Sequence, residues 1–487
     1  MEYEPVIGLE VHAELETHSK MFCACPVLDS TSAAPNTAVC PVCSGMPGVL
    51  PVVNQRAVEF ALRVALALEC QVAQTSLFAR KNYFYPDLPK GFQISQYEQP
   101  LARNGRLAIQ TSGGERVIRI RRVHLEEDTG KLTHITRGGE SYSLVDLNRA
   151  GVPLLEIVSE PDLHSAEDVR TYATRLRSLL RYLGVNSGDL QKGVMRIEPN
   201  ISVRPRGSPI LGTRVEIKNL NSFRALERGV SYEIGRQINL LEQGKSVIQE
   251  TVGWDDSREI TVTQRVKEKE DDYRYFPEPD IPPLVIENEW IEQVRASLPE
   301  LPEAKYYRFC NQYGLNDYDA IVLTADPAAA DYFEQATVAV VPEGTERVDP
   351  KMLAHWVSGE LFGLLNQAGL PIEEAPVSAQ NLTDLVGMVT SGAINQNTAK
   401  LVLAEMFATG KSAPALVAEH GWHQISDSAF IAGLVQKVLA ENPEQVADYL
   451  AGKQKIGRWL FGEVMRAAKG QANPQVVQQE LEKQIQV

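Results

Sequence analysis

The stretch Arg119-Ile-Arg-Arg-Val-His-Leu-Glu-Glu-Asp-Thr-Gly-Lys131 alternates in polarity and then ends in three acids and a Gly-Lys pair. A strand through it places His124 and Glu126 on one face and Val123 and Leu125 on the other, because strand side chains alternate. Three acids and a histidine at a strand end can hold a hard divalent cation. A solvated strand end has the same composition, so the stretch alone leaves both interpretations open.

Residues 6–15, Val-Ile-Gly-Leu-Glu-Val-His-Ala-Glu-Leu, repeat this alternation almost perfectly. Glu10, His12 and Glu14 share one face and the apolar residues share the other, as in an antiparallel strand that is buried on one side. Acids that share a face repel each other. Two acids around a histidine are therefore consistent with two interpretations of about equal weight: a metal-binding or catalytic site, and an exposed sheet face.

Two later segments, 194–204 and 214–218, show the same two-faced pattern. Pro199 predicts that the first of them is an edge strand or contains a bulge. Together the four segments predict a sheet whose apolar face packs under helices and whose polar face is open. The acids, bases and histidines of that face suit a magnesium-bound phosphate site better than a bare solvent surface.

From about residue 290 onward the apolar spacing is helical. The predicted helices are 302–314, 350–368, 379–391, 396–409, 426–441 and 455–468. We therefore expect an α+β fold. A large antiparallel-sheet cradle domain comes first, followed by an all-α helical domain and an all-α tail domain. The expected ranges of these three domains are 1–290, 291–410 and 411–487.

The composition is that of an ordinary globular protein of 487 residues, with a formal net charge of −15 that does not favour non-specific nucleic-acid binding. No run of about 18 apolar residues occurs, and Met1-Glu-Tyr-Glu-Pro5 lacks the basic start of a signal peptide. Six cysteines in so long a chain do not suggest a disulfide framework. We expect a cytoplasmic protein.

Four of the cysteines form two pairs, Cys23 with Cys25 and Cys40 with Cys43. This separation is typical of a zinc site in which thiolates hold a tetrahedral ion. We expect a structural zinc knot over residues 23–43, because four thiolates leave no open position for catalysis.

A segment near the C-terminus is basic, in contrast to the acidic chain as a whole. Between residues 453 and 469 five basic residues accompany one acid, Glu463, and Trp459 lies among them; the basic residues are Lys453, Lys455, Arg458, Arg466 and Lys469. Contact with an RNA backbone and an ordinary solvated helix are both consistent with this pattern.

The chain has no Gly-x-x-x-x-Gly-Lys-[Ser/Thr] motif, so any ATP binding is not of the P-loop type.

Several stretches resemble the B subunit of aspartyl/glutamyl-tRNA amidotransferases, the GatB family. They are Val6–His12, Arg80–Asp87, His124–Lys131, Val145–Pro161, Ile217–Phe223 and Asp271–Asp280. The similarity continues to Lys469-Gly-Gln-Ala-Asn-Pro474 and so spans essentially the whole chain.

The resemblance implies one subunit of a three-subunit enzyme, beside an amidase A subunit that releases ammonia from glutamine and a small C subunit. It implies that Mg-ATP phosphorylates the side-chain carboxylate of Glu on tRNA(Gln) or Asp on tRNA(Asn), and that ammonia then displaces phosphate. It also implies a catalytic cradle related to glutamine synthetase and a helical tail that contacts tRNA. Which misacylated tRNA is the natural substrate stays open.

This chemistry requires a magnesium ion held by carboxylates, and a cationic clamp. For the metal we expect Glu10, His12 and one or both of Glu126 and Glu127, with Glu216 as a weaker candidate. Strand parity favours Glu126, whereas the family pattern favours Glu127. The cations expected to meet phosphate or the tRNA end are Lys81, with a catalytic role, and Lys90, Arg196 and Lys218.

One departure concerns Glu198. Family members often read Met-Arg-Cys-Asp where this chain has Met195-Arg-Ile-Glu198, so the role of the longer acid is left open. Two other functions remain as alternatives: an ATP-dependent ligase acting on a free amino acid, and a non-catalytic RNA-binding scaffold.

Overall fold

The computed structural model describes residues 2–29, 31–266, 273–340, 347–425, 427–453, 455–468 and 470–485. The chain divides into two compact units, Met1–Pro302 and Glu303–Val487. The first unit is built on a mostly antiparallel sheet and the second is helical, so the predicted α+β class is confirmed. The finer domain boundaries at 290 and 410 stay predictions.

The first unit contains the strands of the described chain. They are β1 (Tyr3–Glu14), β2 (Gln71–Val72), β3 (Thr75–Ser76), β4 (Ala79–Asn82), β5 (Phe92–Ser95), β6 (Ala102–Thr111), β7 (Gly114–Glu127), β8 (Lys131–Arg137), β9 (Glu140–Asp146), β10 (Pro153–Ser159), β11 (Met195–Pro205), β12 (Val215–Lys218), β13 (Glu250–Asp255), β14 (Ile260–Val266), β15 (Phe276–Pro277) and β16 (Leu284–Val285).

Nine of these strands form one sheet in the order β14-β13-β12-β11-β1-β10-β7-β6-β2. Neighbours pair antiparallel except β12 and β13, which are parallel. The helices of this unit are α1 (Gln55–Ala67), α2 (Ala166–Tyr182), α3 (Phe223–Glu242) and α4 (Asn288–Ala296). The first three pack against the sheet and bury its apolar face, including Leu9, Val11, Val123 and Leu125.

Helix α2 shows how a local signal fixes an element in this unit. The Ser165 side chain accepts a hydrogen bond from the Asp168 backbone N–H and so caps the first turn. Beyond the cap, Val169, Tyr172 and Leu176 recur at helical spacing and are fully buried. The helix therefore lies across the sheet with its apolar stripe facing inward.

The position of Pro199 corrects one expectation. Strand β11 is an interior strand, paired with β1 on one side and β12 on the other, and it has no edge. In β11, Asn200 and Ile201 pair with β12, and Pro199 does not. Proline has no backbone N–H to donate, and here no bond from it to β12 is required.

A smaller three-stranded sheet, β15-β4-β5, lies against β7 and covers part of the polar face. Gln93 and Ser95 of β5 bond to the backbone carbonyl of Glu127 and the carboxylate of Glu126, respectively. All seven residues of β10 are buried. The polar face is therefore not open along its whole length, as the alternation had suggested.

The second unit is helical throughout its described length. Its helices are α5 (Pro302–Tyr313), α6 (Asp317–Thr324), α7 (Pro327–Thr337), α8 (Pro350–His355), α9 (Phe362–Ala368), α10 (Ala379–Thr390), α11 (Gln396–Thr409), α12 (Ala413–His420), α13 (Ser428–Glu441), α14 (Pro443–Leu450), α15 (Lys455–Ala467) and α16 (Pro474–Ile485), with one π-helical turn at Trp356–Leu361 and one 3-10 turn at Ile372–Glu374.

Two apolar cores stabilise this unit. One runs from Phe309 to Val417 and includes α12, although α12 follows the boundary expected at residue 410. The other begins at Ile431 and joins α13, α15 and α16. No single helix in the described ranges is long and apolar enough to cross a membrane; α11 and α12 meet the length and composition only as a pair bent by 111°.

Candidate functional site

The polar face of the nine-stranded sheet brings acids and histidines from neighbouring strands into register. Glu156 of β10 lies opposite His12 of β1 on one side and opposite His124 of β7 on the other. Glu10 lies opposite Glu198 of β11. Because residues directly opposite each other point to the same face, the strand register alone creates this acidic surface.

We define the first carboxylate cluster as His12, Glu126 and Glu156, which offer ligand atoms within 4.8 Å of one another. His12 Nε2 lies 3.4 Å from a Glu156 oxygen and 3.9 Å from a Glu126 oxygen. His124 Nε2 approaches the same two carboxylates at 3.4 and 3.7 Å. Two histidines and two carboxylates therefore share one nearly solvent-free space.

We define the second carboxylate cluster as Glu10, Glu198 and Glu216, whose oxygens also lie within 4.8 Å of one another. Lys218 Nζ approaches Glu198 at 2.9 Å and Glu216 at 3.4 Å. Glu198 thus stands beside two expected metal ligands. Glu198 therefore contributes a third carboxylate to this cluster.

The first cluster holds its charges in the ionised form. Burial alone would raise the pKa of Glu126 and Glu156, but His124 and His12 lower it below the ordinary value, most strongly for Glu156. Burial lowers the pKa of His12, yet its hydrogen bond to Glu156 and the surrounding carboxylates raise it to about 9. Without a metal ion, protonated histidine and the guanidinium of Arg122, which lies 3.6 Å from a Glu156 oxygen, balance these acids.

The second cluster is short of positive charge. Burial, together with the charges of Glu156, Glu216 and Glu198, raises the pKa of Glu10. Four buried polar atoms of the two clusters and their surroundings have no hydrogen-bond partner among the described residues: His12 Nδ1, His124 Nδ1, Asn200 Oδ1 and Arg122 Nε. Carboxylate oxygens are the ligands that hard divalent cations prefer, and unsatisfied buried polar atoms beside them indicate a place for an ion or for water. The residues present therefore fit magnesium.

Glu127 does not belong to either cluster. Its carboxylate bonds to the ammonium of Lys90 and accepts from the Ile94 backbone N–H at 2.9 Å. It lines a cavity of about 290 Å³ together with Lys90 and Cys43. The structure thus brings Glu126, and not Glu127, together with His12, while Lys90 is held in an ion pair.

Arg196 also forms ion pairs with two acids. Its guanidinium donates to Asp128 at 2.9 Å and lies 3.5 Å from Glu14. Burial and the charge of Asp128 raise the pKa of Glu14 to about 8, whereas Arg196 and Arg149 hold the pKa of Asp128 below its ordinary value despite burial. This buried network borders the first cluster and holds Arg196 against two carboxylates.

Lys81 lies on β4 and makes no ion pair within the described part of the chain. Its ammonium lies 4.9 Å from the ring centre of Tyr273. Burial lowers the pKa of Lys81, but the charges of Tyr275, Glu126 and Glu156 raise it above the ordinary value. Lys81 is therefore a charged lysine whose head group is not neutralised by a direct carboxylate contact.

The two pairs of cysteines converge as their spacing predicted. One sulfur from each of Cys23, Cys25, Cys40 and Cys43 lies within 4.8 Å of the others, and we call this group the cysteine cluster. A hydrogen bond from the Cys23 thiol, aided by the charge of Lys20, lowers the pKa of Cys43 to about 4, so one thiolate is present even without metal. The cluster could hold a metal ion.

A fully buried lysine supports the cysteine cluster. The Lys20 ammonium donates to the carbonyl oxygens of Ala38 at 2.8 Å and Leu147 at 3.1 Å, and it lies 3.6 Å from the Cys43 sulfur. The positive charge of Lys20 stabilises the negatively charged thiolate of Cys43. Lys20 also ties the cysteine loop to the loop that precedes β10.

The tail cations occupy the surface of the second unit. Lys453, Lys455, Arg458 and Arg466 are exposed, whereas Lys469 lies outside the described residues. Lys453 pairs with Asp448 at 2.9 Å and Arg466 with Glu463 at 2.6 Å. Trp459 remains 42% exposed beside them, and the α15 residues Leu460 and Val464 anchor the helix in the core that begins at Ile431.

Sequence reasoning did not select Glu156 as a site residue. Because β10 is buried on both faces, its sequence is a continuous apolar run with one acid and lacks the alternation that marked β1 and β7. That single acid within Pro-Leu-Leu-Glu-Ile-Val-Ser was the available signal, since a charge in a buried strand requires a partner.

Comparison with known proteins extends over the whole chain. Residues 5–292 match the GatB/GatE catalytic domain, and residues 331–485 match the GatB domain. The chain is similar to proteins named as the B subunit of aspartyl/glutamyl-tRNA(Asn/Gln) amidotransferase. It is 52% identical over 485 residues to that of Moorella thermoacetica, covering 100% of both chains. It is 50% identical to that of Myxococcus xanthus, and the match covers 99% of each chain. It is also 50% identical to that of Thermomicrobium roseum, where the match covers 100% of this chain and 99% of the relative.

Proposed function

Because the chain belongs to the GatB family, the B subunits of tRNA-dependent amidotransferases, we propose that its polar sheet face carries the ATP-dependent step of that reaction. The overall reaction is that of a glutamine-hydrolysing ligase and forms Gln-tRNA or Asn-tRNA. In the proposed step the side-chain carboxylate of Glu on tRNA(Gln), Asp on tRNA(Asn), or both accepts a phosphoryl group, and ammonia then displaces the phosphate.

The observation that carries this proposal is the pair of three-residue ligand sets on adjacent strands of one face. Phosphoryl transfer is mainly a matter of positioning the reactants and neutralising charge. His12, Glu126 and Glu156 would hold one magnesium ion, and Glu10, Glu198 and Glu216 a second. When bound, magnesium supplies charge neutralisation to the phosphate oxygens.

The protein's own residues divide the remaining tasks. Lys81 supplies a cation that carries no direct carboxylate contact among the described residues, so it is available to an incoming anion. Lys218 is held by Glu198 and Glu216 and would exchange those contacts for phosphate or the tRNA end when cations occupy the second cluster. Lys90 and Arg196 keep their ion pairs with Glu127 and Asp128. They would contribute positive charge at the border of the site without contacting the metal ligands of the two clusters.

The cysteine cluster has a structural role in this proposal, with zinc as the ion. Its thiols are directed at one another and would fill all four positions of a tetrahedral ion, in contrast to the carboxylate clusters. Through Lys20 and its contact with Leu147 the cluster stabilises the loop before β10. An ion there would therefore secure the strand that carries Glu156.

The partners proposed are an amidase A subunit that supplies ammonia, a small C subunit, and the misacylated tRNA. Exposed Lys453, Lys455 and Arg458 with exposed Trp459 suit contact with a nucleic-acid backbone and unstacked bases. Exposed Arg466 extends the proposed basic surface, and Lys469, which lies outside the described residues, is the remaining basic residue of this segment. We propose that this complex works in the cytoplasm.

The test is reconstitution with the partner subunits, glutamine, ATP and either Glu-tRNA(Gln) or Asp-tRNA(Asn), with amide formation as the readout. Glu198→Gln removes one carboxylate of the second cluster and should reduce turnover on the order of 100-fold while binding of tRNA persists. Glu242→Gln, an exposed acid at the end of α3, is the matched control and should retain full activity.

Two outcomes would replace the proposal. ATP hydrolysis stimulated by free glutamate and not by misacylated tRNA would identify a ligase for a free amino acid. Undiminished amidation when both Glu10 and His12 are replaced by Ala would leave tRNA binding as the only function of this chain and move the chemistry to a partner.

A further inference from the structure

The segment after the central sheet, residues 273–280, has no role in the function proposed so far, although its Tyr-Arg-Tyr-Phe-Pro sequence is unusually aromatic. It lies beside β4, the strand of Lys81. The Lys81 ammonium lies 4.9 Å from the ring centre of Tyr273 and 5.9 Å from that of Tyr83. Both distances are within the range at which a cation is attracted to an aromatic ring.

The rings are fixed by one another. Tyr83 and Tyr273 meet edge to face at 6.0 Å and 73°, and Tyr273 meets Tyr275 at 6.2 Å and 73°. Tyr275 in turn stacks on Tyr97 at 4.2 Å with only 9° between the planes. Such a chain of aromatic pairs restricts each ring more than burial alone does.

The backbone of the segment is fastened to the strand of Lys81. Asn82 Nδ2 donates to the carbonyl oxygens of Tyr273 at 3.2 Å and Arg274 at 2.8 Å. Two residues earlier, Arg80 forms a bidentate pair with Glu278 at 2.6 and 2.7 Å. Between these contacts, β15 pairs with β4. Neighbours on both sides of Lys81 therefore hold the tyrosines in place.

The direction of Lys81 follows from the register of the small sheet. Lys81 lies opposite Gln93, and Ala79 lies opposite Ser95, so the four residues share one face. On that face Ser95 bonds to the Glu126 carboxylate at 2.9 Å and Gln93 to the Glu127 backbone. Lys81 therefore projects on the side of the small sheet that meets the first carboxylate cluster.

We propose that Tyr273, supported by Tyr83 and Tyr275, holds the ammonium of Lys81 ready for the phosphoryl group that is transferred at the first carboxylate cluster. The tyrosines are positioning residues, because they act through Lys81. The aromatic faces attract the cation without neutralising it, whereas a carboxylate at the same place would compete with the phosphate. This inference rests on the proposed function and adds the device that positions its cation.

The test compares ATP with ADP, since only ATP carries the phosphoryl group that Lys81 would contact. Magnesium-dependent affinities for both nucleotides are measured by calorimetry on Tyr273→Leu, Tyr273→Phe and Lys81→Ala. Tyr273→Leu should weaken ATP binding about 3- to 30-fold and leave ADP binding unchanged. Tyr273→Phe, which keeps the ring, should bind ATP within about twofold of the wild type.

A double-mutant cycle separates positioning from folding. Tyr273→Leu should add nothing to the loss already caused by Lys81→Ala, because contacting residues are coupled. Tyr232→Leu is the control, since Tyr232 packs edge to face on Trp254 in the same unit. Equal weakening of ADP and ATP, additive losses in the cycle, or a Tyr273→Phe as impaired as Tyr273→Leu would each overturn the inference.

These outcomes do not coincide with failure of the proposed function. If the wild-type complex makes no amidated tRNA from ATP and either misacylated tRNA, the function itself fails. If the wild type is active and binds ATP but Tyr273→Leu is unchanged, only the positioning role fails.

Discussion

Glu10 and His12 lie two residues apart on one strand and one face, yet their side chains belong to different carboxylate clusters. Glu10 joins Glu198 and Glu216 toward β11 and β12, whereas His12 joins Glu126 and Glu156 toward β10 and β7. Strand β1 therefore divides the site into two halves that share a backbone. Two cations bound there would be neighbours without a common protein ligand.

The first prediction separates the two adjacent glutamates. Glu126→Gln should lower amide formation by about 100-fold or more, because it removes a charge from the first cluster. Glu127→Gln should leave magnesium binding unchanged, since its carboxylate faces Lys90 and the Ile94 N–H instead. Magnesium titration of each variant by calorimetry makes the comparison. Loss of magnesium binding in Glu127→Gln, with normal binding in Glu126→Gln, would reverse the assignment.

The second prediction concerns Glu156, which sequence reasoning missed. Glu156→Gln should abolish magnesium binding at the first cluster and also lower the pKa of both histidines, since Glu156 is a partner of each. The histidine titrations can be followed by NMR. The isosteric amide keeps the strand packed, but it removes the buried ion pairs of Glu156 with both histidines, so the melting temperature should fall by several degrees. Unshifted histidine titrations would contradict the placement of Glu156.

The third prediction is a pH dependence. In the metal-free protein, the pKa of His12 is about 9, above its unfolded value near 6.5, because Glu156 and other carboxylates outweigh burial. A raised histidine pKa contributes stability that is fully present below pH 6.5 and is lost as the pH rises through about 9. His12→Gln should flatten that part of the stability curve measured by chemical denaturation.

Metal binding should show the opposite trend with pH. A ligand histidine must be deprotonated, so magnesium affinity should rise about tenfold per pH unit up to roughly pH 9. Calorimetry in buffers of different ionisation enthalpy counts the proton released. An affinity that is flat between pH 6.5 and 9 would exclude His12 as a ligand.

The fourth prediction concerns the buried lysine behind the cysteines. Lys20→Met should reduce the free energy of unfolding by about 1–3 kcal/mol, because the carbonyl oxygens of Ala38 and Leu147 lose their donor. It should also speed release of the metal to a chelator, followed by a colorimetric indicator. Lys192→Met is the control, since Lys192 lies on the surface and pairs with Asp29. Equal effects of both substitutions would assign no special role to Lys20.

The elements that sequence reasoning found are those with a regular pattern of polarity or spacing. The sequences of β1 and of the end of β7 alternate in polarity, and this alternation identified Glu10, His12 and Glu126, although Val123–Glu127 are buried on both faces of the strand. The helices expected at 379–391 and 396–409 correspond to α10 and α11, whose caps are Ser378 and Asn395. The spacing of the cysteines likewise sufficed to bring four sulfurs together.

The remainder depends on contacts between distant segments. Helices α6, α12 and α14 have only eight residues each, too few for a clear periodic pattern. The surroundings of Lys81 depend on a strand pairing between residues about 200 positions apart. Pairing of this kind follows from the tertiary fold and leaves no local signature in either segment.

The hairpin β8–β9 has a different consequence. It leaves the site between Glu127 and Glu156, and its strands pair only with each other among the described elements. Its base is closed by Arg149, which donates to the carbonyl oxygens of Thr129 and Gly130 at 3.0 and 2.7 Å. Insertions or deletions at the tip near Gly138 and Gly139 can therefore accumulate during evolution without displacing the strands on either side. Length differences between homologues should concentrate there, and the tip is a suitable place for a fluorescent or affinity tag.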